Sequence, residues 1–124
     1  EDWPKWGGYI LDAKWISKNK WKKGSRFTQT IRGFFGVNKL KSFPKVIEVV
    51  SYKKIAWTGT RLVIRGVHTL KFQKTGNKTK FYNMEHFKGP LSFIIFPLIK
   101  GKFKKYFELF NDGLKKEAEN QQNL

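Results

Sequence analysis

Apolar and polar residues alternate along most of the chain between Tyr9 and Lys88, which is the pattern of β-strands with one buried face. The alternation predicts six strands, at residues 9–16, 25–32, 43–52, 55–60, 64–74 and 79–88. Gly76 and Asn77 separate the last two strands and are residue types that favour a tight hairpin turn. Residues 33–42 have no clear period and begin with a glycine, so we expect a long loop there.

The period of the apolar residues changes in the last part of the chain. Large apolar residues recur at steps of three and four from Phe103 to Leu114, and lysines occupy many of the other positions. This pattern predicts an amphipathic helix over residues 102–119. Because Pro97 and the glycine that follows it disfavour an uninterrupted helix, we expect residues 91–99 to form a separate turn or short helix.

Strands followed by one C-terminal helix place the protein in the α+β class. We expect a curved antiparallel sheet wrapped around the long C-terminal helix, an arrangement that tends to enclose a pocket. The length of 124 residues is sufficient for one domain with its own core, so we expect residues 1–124 to form a single domain.

The charge is strongly positive, because 26 Lys and Arg residues stand against 9 Asp and Glu residues, for a net charge of +17. Most of these cations are lysines dispersed along the chain, which suit general attraction to an anionic membrane surface better than the reading of nucleic-acid bases. The chain has no cysteine, and its longest apolar run, residues 91–99, is far shorter than the ~20 residues of a membrane-spanning helix. We therefore expect a soluble, cytoplasmic protein for which sequence-specific recognition of nucleic acid is not predicted.

Several short motifs follow one another along the chain, namely Trp6-x-x-x-Ile10, Gly24-Ser25, Trp57-x-Gly59, Gly66-x-His68-x-Leu70-x-Phe72, Thr79-x-Phe81-x-x-x-Glu85-x-Phe87-x-Gly89-x-Leu91 and Leu114-Lys115-x-x-Ala118-Glu119. In their order and spacing they resemble the polyketide cyclase/dehydrase branch of the START and birch-pollen-allergen-like helix-grip superfamily (SRPBCC). The resemblance implies a bent seven-stranded antiparallel sheet around a C-terminal helix, with a hydrophobic cavity between them. It also implies binding of lipids, sterols, polyketides, quinones or other apolar ligands, with enzymatic activity in some branches.

The same resemblance implies that a first strand and small helices should precede Trp3, and they are missing here. The chain begins at Glu1, and its only methionine is Met84. We therefore expect that the family's first strand is absent, either because the start has been trimmed or because the chain is naturally short.

His68 and Glu85 are the polar pair most relevant to chemistry. Counting outward from the Gly76-Asn77 turn brings them nearly opposite each other on neighbouring strands, each on a face that also carries phenylalanines. Three interpretations remain open: the two residues satisfy each other's hydrogen bonds, they orient a ligand, or they transfer a proton as weak catalytic candidates. Because strand parity places His68 and His86 on opposite faces, we predict no metal site, and no motif for a cofactor or a catalytic serine is found.

The other ligand-binding candidates are apolar, aromatic or amide residues expected on the inner faces of the strands and the helix, where a pocket would be lined. With the polar pair, the predicted ligand-binding set is Trp57, His68, Leu70, Phe72, Phe81, Asn83, Glu85, Phe87, Phe103 and Phe107. For each of the aromatic residues, packing into an ordinary core is the alternative.

A second candidate surface lies in the predicted loop. Phe34 and Phe35 are followed by Lys39 and Lys41, a combination that suits a pocket lip touching a membrane, with phenylalanines in the acyl boundary and lysines at lipid phosphates. The alternative is that the loop folds back and buries the two phenylalanines.

Three functions remain from the sequence. The first is a carrier or sensor that binds a hydrophobic small molecule without catalysis, and it is the one we favour. The second is an enzyme of the cyclase, dehydratase or isomerase type that uses Glu85 and His68. The third is a basic accessory protein that binds an anionic membrane or nucleic acid.

Overall fold

The computed structural model describes residues 2–33, 38–61 and 64–123. The α+β class is confirmed, because seven antiparallel strands are followed by a long C-terminal helix. The elements in chain order are α1 (Trp3–Trp6), β1 (Ile10–Trp15), β2 (Phe27–Arg32), β3 (Lys39–Ser42), β4 (Lys45–Val50), β5 (Lys54–Arg61), β6 (Ile64–Thr75), β7 (Lys78–Lys88) and α2 (Ser92–Gln122).

The strands form two antiparallel sheets, with the orders β1-β2-β3 and β4-β5-β6-β7. The sheets meet where β2 and β4 begin, since Arg26 and Lys45 form an isolated bridge and the amide of Phe27 donates to the carbonyl of Pro44 at 3.2 Å. The hairpin of β6 and β7 keeps one uninterrupted register along its whole length. That register decides which side chains of the two strands can meet.

One strand lies where we expected only a loop. β3 pairs with β2, so the described part of the chain has seven strands instead of about six, and they form two sheets instead of one. An alternation of only four residues is too short to be recognised by its period. The pairing exposes Lys39 and Lys41. These two lysines are therefore strand residues, whereas Phe34 and Phe35, the rest of the predicted lip, lie outside the described residues.

The helix α2 runs unbroken through Pro97 and Gly101, so the predicted interruption is wrong. Pro97 removes one intrahelical hydrogen bond, but it lies on an exposed side of the helix, where water can bond the freed carbonyl. On the packed side, the rings of Phe96 and Phe103 contact Phe87 of β7, with centroids 5.4 and 5.3 Å apart. These contacts on both sides of the predicted break stabilise one continuous helix.

The buried core joins both sheets to α2 and consists of Tyr9, Ile10, Ala13, Phe27, Val46, Trp57, Leu70, Tyr106 and Phe110. The helix also packs closely on α1, because a Cβ on Gly113 would collide with the carbonyl oxygen of Trp6. This glycine therefore sets how near the C-terminal helix comes to the start of the chain. Within the described ranges, neither helix combines the length and apolar character required to cross a membrane.

Candidate functional site

Three residues in a row across the four-stranded sheet form the centre of the candidate site. Trp57 on β5 pairs with His68 on β6, and His68 pairs with Glu85 on β7. Paired residues project their side chains to the same side of a sheet. The Trp57 and His68 rings are stacked, with centroids 4.7 Å apart and 7° between their planes, and His68 Nδ1 lies 2.6 Å from Glu85 Oε2. The register predicted from the hairpin turn is thus confirmed.

The second ring nitrogen of His68 is engaged as well. Its Nε2 lies 2.6 Å from Asn83 Oδ1, and Asn83 Nδ2 in turn donates to Asn111 Oδ1 on α2 at 3.0 Å. The ring of Phe107 also contacts the imidazole, at a centroid distance of 5.1 Å. The polar chain from Glu85 to Asn111 therefore fixes the imidazole and ties the sheet to the helix.

Two arrangements of hydrogen-bond donors around His68 fit this geometry. With Asn83 Oδ1 toward Nε2, both ring nitrogens donate, one to Glu85 Oε2 and one to Asn83. The His68 and Glu85 side chains are only 11% and 15% exposed. If the amides of Asn83 and Asn111 both turned over, Nε2 would accept from Asn83 and the imidazole would be neutral. The network can thus hold either form of His68 without losing a hydrogen bond.

A partly open cavity of about 170 Å³ lies beside this row. Its walls come from both sheets and from α2, and they consist of Tyr9, Gln29, Ile31, Ser42, Pro44, Trp57, Gly59, Gly66, His68, Glu85, Phe103 and Phe107. An apolar cavity of about 150 Å³ is sufficient to hold a benzene ring. The space at this site therefore fits a small ring compound or one end of a longer apolar molecule.

Two further buried polar side chains line the cavity, namely Tyr9 and Gln29, which are 4% and 9% exposed. The Gln29 amide makes no side-chain hydrogen bond with any other residue in the described part of the chain. Burial raises the pKa of the Tyr9 phenol well above its ordinary value, and the negative charge of Glu85 raises it further. Tyr9 is therefore a neutral phenol at physiological pH, and its ring is held in place by stacking on Tyr106 with 5.0 Å between centroids.

Two paired glycines shape the wall of the cavity on β5 and β6. A Cβ on Gly66 would lie 2.5 Å from Glu85 Oε1, so the glycine gives the carboxylate room to lie against β6. A Cβ on Gly59 would meet no atom within 4 Å. Gly59 therefore borders empty space that a larger side chain would fill.

Part of the predicted ligand-binding set lines the cavity, namely Trp57, His68, Glu85, Phe103 and Phe107. The remaining members do not line it. Leu70 lies in the core, and the rings of Phe72 and Phe81 pack on each other with centroids 5.1 Å apart. Phe87 supports Phe96 and Phe103 from behind, and Asn83 bonds His68. These residues position the walls instead of forming them.

Sequence reasoning did not identify several residues of the site. Gln29 is the clearest of them, because the strand alternation already placed this amide on the same face as Phe27 and Ile31, and a polar residue at an inward position is a signal in itself. Asn111 follows Phe107 by one helical turn and so lies on the same side of α2. Tyr9 is the first residue of the predicted strand 9–16 and, as an aromatic residue, gave no signal of this kind.

The described residues contain no group of three or more His, Asp and Glu residues that could hold a metal ion. Comparison of the chain with models of known protein families finds no match, and comparison with curated proteins finds none either. Membership of the helix-grip superfamily therefore stays a prediction from the sequence motifs.

Proposed function

We propose that this protein binds or carries a small, mainly apolar molecule with one polar group, held between the sheets and α2. The observation that carries the proposal is the Gln29 amide. It is 9% exposed, faces a cavity of about 170 Å³ and has no hydrogen-bond partner among the side chains of the described residues. None of the described side-chain nitrogen and oxygen atoms is both fully enclosed and unpaired, so the amide atoms of Gln29 reach the open space of the cavity, where a ligand can replace water as their hydrogen-bond partner.

The rest of the cavity supports the same class of ligand. Ile31, Trp57, Phe103 and Phe107 provide apolar surface, which is typical of sites where a few polar groups orient a mostly hydrophobic molecule. The volume favours a phenol- or quinone-sized ring, or the end of a lipid chain that extends through the open side. These molecules belong to the ligand classes that the helix-grip resemblance implies.

The hydrogen bonds of the His68–Glu85 pair support a binding function better than a catalytic one. Both nitrogens of His68 are engaged by protein groups, Glu85 and Asn83, so the imidazole has no free position for proton exchange with a ligand. A cyclase, dehydratase or isomerase acting through Glu85 and His68 would have to break this network first. A carrier or sensor can leave it intact.

The proposal is tested by titrating the protein with N-phenyl-1-naphthylamine, a neutral apolar fluorophore, and displacing it with naphthalene or 1-naphthol. We expect saturable binding of one fluorophore, and 1-naphthol should displace it about 5-fold more tightly than naphthalene, because one net hydrogen bond contributes about 1 kcal/mol. Gln29→Leu should reduce that preference, whereas Gln73→Leu, at an exposed position of β6, should leave it unchanged. Absence of saturable binding, or the same preference in both variants, would contradict the proposal.

A further inference from the structure

The first turns of α2 carry large apolar side chains that are exposed on the protein surface. Phe93, Ile94 and Leu98 are 73%, 52% and 66% exposed, and Leu91 just before the helix is 44% exposed. We call these four residues the apolar tip. Single exposed apolar residues are ordinary, but four within eight consecutive positions form a cluster of the kind that marks an interaction surface.

Ile94 and Leu98 of the apolar tip lie on the outer side of the helix, and Phe93 lies on its flank, about 80° around the axis from Phe103. Ile94 and Leu98 each precede a residue of the packed side, Phe103 and Phe107, by nine positions, which is two and a half turns and therefore half a rotation away. The packed side of this segment is already occupied, because Phe96 contacts Phe87. The outer side thus has no covering element among the described residues.

Four exposed lysines follow the tip directly along the helix, at Lys100, Lys102, Lys104 and Lys105. We call them the lysine collar. The next acidic residue after Glu85 is Glu108. The stretch between them, which includes the collar, therefore has no acidic side chain to compensate the lysine charges. At 1.5 Å per residue, the middle of the collar lies about 7 Å along the axis from Leu98. This distance matches the depth of about 5–10 Å to which apolar faces enter the boundary between lipid headgroups and acyl chains.

We propose that the start of α2 docks on the surface of an anionic lipid bilayer, with the apolar tip in the acyl boundary and the lysine collar against the lipid phosphates. The charge sign of the collar and the net charge of +17 select an anionic surface. The exposed Phe, Ile and Leu side chains select lipid over nucleic acid, because a phosphate backbone offers them no apolar partner. This surface is built from other residues than the lip that the sequence predicted around Phe34, and docking does not depend on what the cavity binds.

Aromatic contacts connect the helix turns that carry the apolar tip with the wall of the cavity. Phe96, on the packed side of the same turns, contacts Phe87, and Phe87 contacts Phe103 in the cavity wall. A bilayer at the tip is therefore connected to the proposed binding site through the helix and the contacts among Phe96, Phe87 and Phe103.

Docking is tested by cosedimentation with vesicles of phosphatidylcholine alone and of phosphatidylcholine with phosphatidylserine. The tip variant is Phe93→Ser with Leu98→Ser, and its control is Ile16→Ser with Val50→Ser, which removes two exposed apolar residues elsewhere. We expect the wild type to bind the anionic vesicles at least 10-fold more tightly than the neutral ones. The tip variant should lose at least 10-fold, and the control should stay within about 3-fold of the wild type.

The collar is tested in the same way with Lys100→Glu and Lys104→Glu together, against Lys18→Glu and Lys20→Glu as a control of equal charge. Reversal of two collar charges should weaken binding to anionic vesicles at least 10-fold more than the control does, since each lysine near the surface contributes to the attraction. Equal losses in both pairs would mean that only the total charge matters, and this result would overturn the proposal.

The absence of cysteine allows the orientation to be read directly. An environment-sensitive fluorophore attached after Leu98→Cys should shift to the blue on anionic vesicles, whereas the same fluorophore attached after Lys20→Cys should not. Equal shifts at both positions, no shift at Leu98, or vesicle binding that the tip variant retains would each overturn the proposal. Because no cavity ligand is present in these assays, their failure would leave the proposed binding function standing.

Discussion

Gly66→Ala tests whether the Glu85–His68 pair is held as tightly as its geometry indicates. The added Cβ would lie 2.5 Å from Glu85 Oε1, closer than real Cβ atoms approach an oxygen, so the carboxylate has to move. The other carboxylate oxygen lies 2.6 Å from His68 Nδ1. The carboxylate therefore cannot make room for the methyl group without weakening this hydrogen bond.

The size of the effect follows from two opposing contributions. Loss of a mostly buried, charge-assisted hydrogen bond costs about 1–3 kcal/mol. Replacement of glycine by alanine in a strand contributes roughly 0.5–1 kcal/mol in the stabilising direction. Gly59→Ala, at the position paired with Gly66, has the same backbone benefit without the clash, because nothing lies within 4 Å of its Cβ. We expect the free energy of unfolding to be about 1–3 kcal/mol lower in Gly66→Ala than in Gly59→Ala.

Chemical denaturation of the two variants measures this difference, and a double-mutant cycle assigns its cause. In a Glu85→Ala background the clash is gone, so Gly66→Ala should no longer destabilise the protein relative to Gly59→Ala. Equal stability of the two alanine variants in the wild-type background would refute the reasoning. A penalty that persists without the Glu85 carboxylate would refute it as well.

Three further predictions concern the core, the helix and pH. Phe110→Ala, at a site only 3% exposed, should cost about 3–5 kcal/mol, whereas Phe107→Ala, beside the cavity, should cost about 1–3 kcal/mol in urea unfolding. Gly101→Ala should stabilise α2 by about 0.5–1 kcal/mol because its Cβ meets open space, but Gly113→Ala should destabilise the protein by collision with α1, as thermal melting would show. Because burial raises the pKa of Tyr9, this phenol should resist ionisation in an absorbance titration, and stability should fall as pH rises above about 10, where unfolded tyrosine ionises.

The sequence predicted the parts of the fold that have long periodic patterns. The β6/β7 hairpin and the register of His68 with Glu85 followed from a Gly-Asn turn and two long alternating runs, which leave little choice of pairing. β3 could not be recognised because it is four residues long. The continuity of α2 through Pro97 depends on contacts with Phe87, and such tertiary contacts override local preference without leaving a local pattern.

In the candidate site too, the sequence predicted what depends on a periodic pattern and missed what depends on tertiary packing. Counting outward from the hairpin turn placed His68 opposite Glu85, and this prediction needed only the turn and the side-chain period of a strand. Parity cannot tell which residues of a face border open space, so Phe72 and Phe81 were grouped with the cavity although they pack on each other. The cavity depends on how the two sheets and the helix approach one another, which periodic patterns do not encode.

The central claim, a ligand-binding cavity between the sheets and α2, is tested most directly by filling it. Gly59→Leu places a side chain into space that is empty within 4 Å of the Cβ position, and Gly101→Leu makes the same substitution on α2 away from the cavity. Both variants and the wild type are titrated with N-phenyl-1-naphthylamine after their folding is checked by circular dichroism. The account predicts one bound fluorophore in the wild type and in Gly101→Leu, and at least 10-fold weaker binding in folded Gly59→Leu. Equal binding by all three proteins would contradict it.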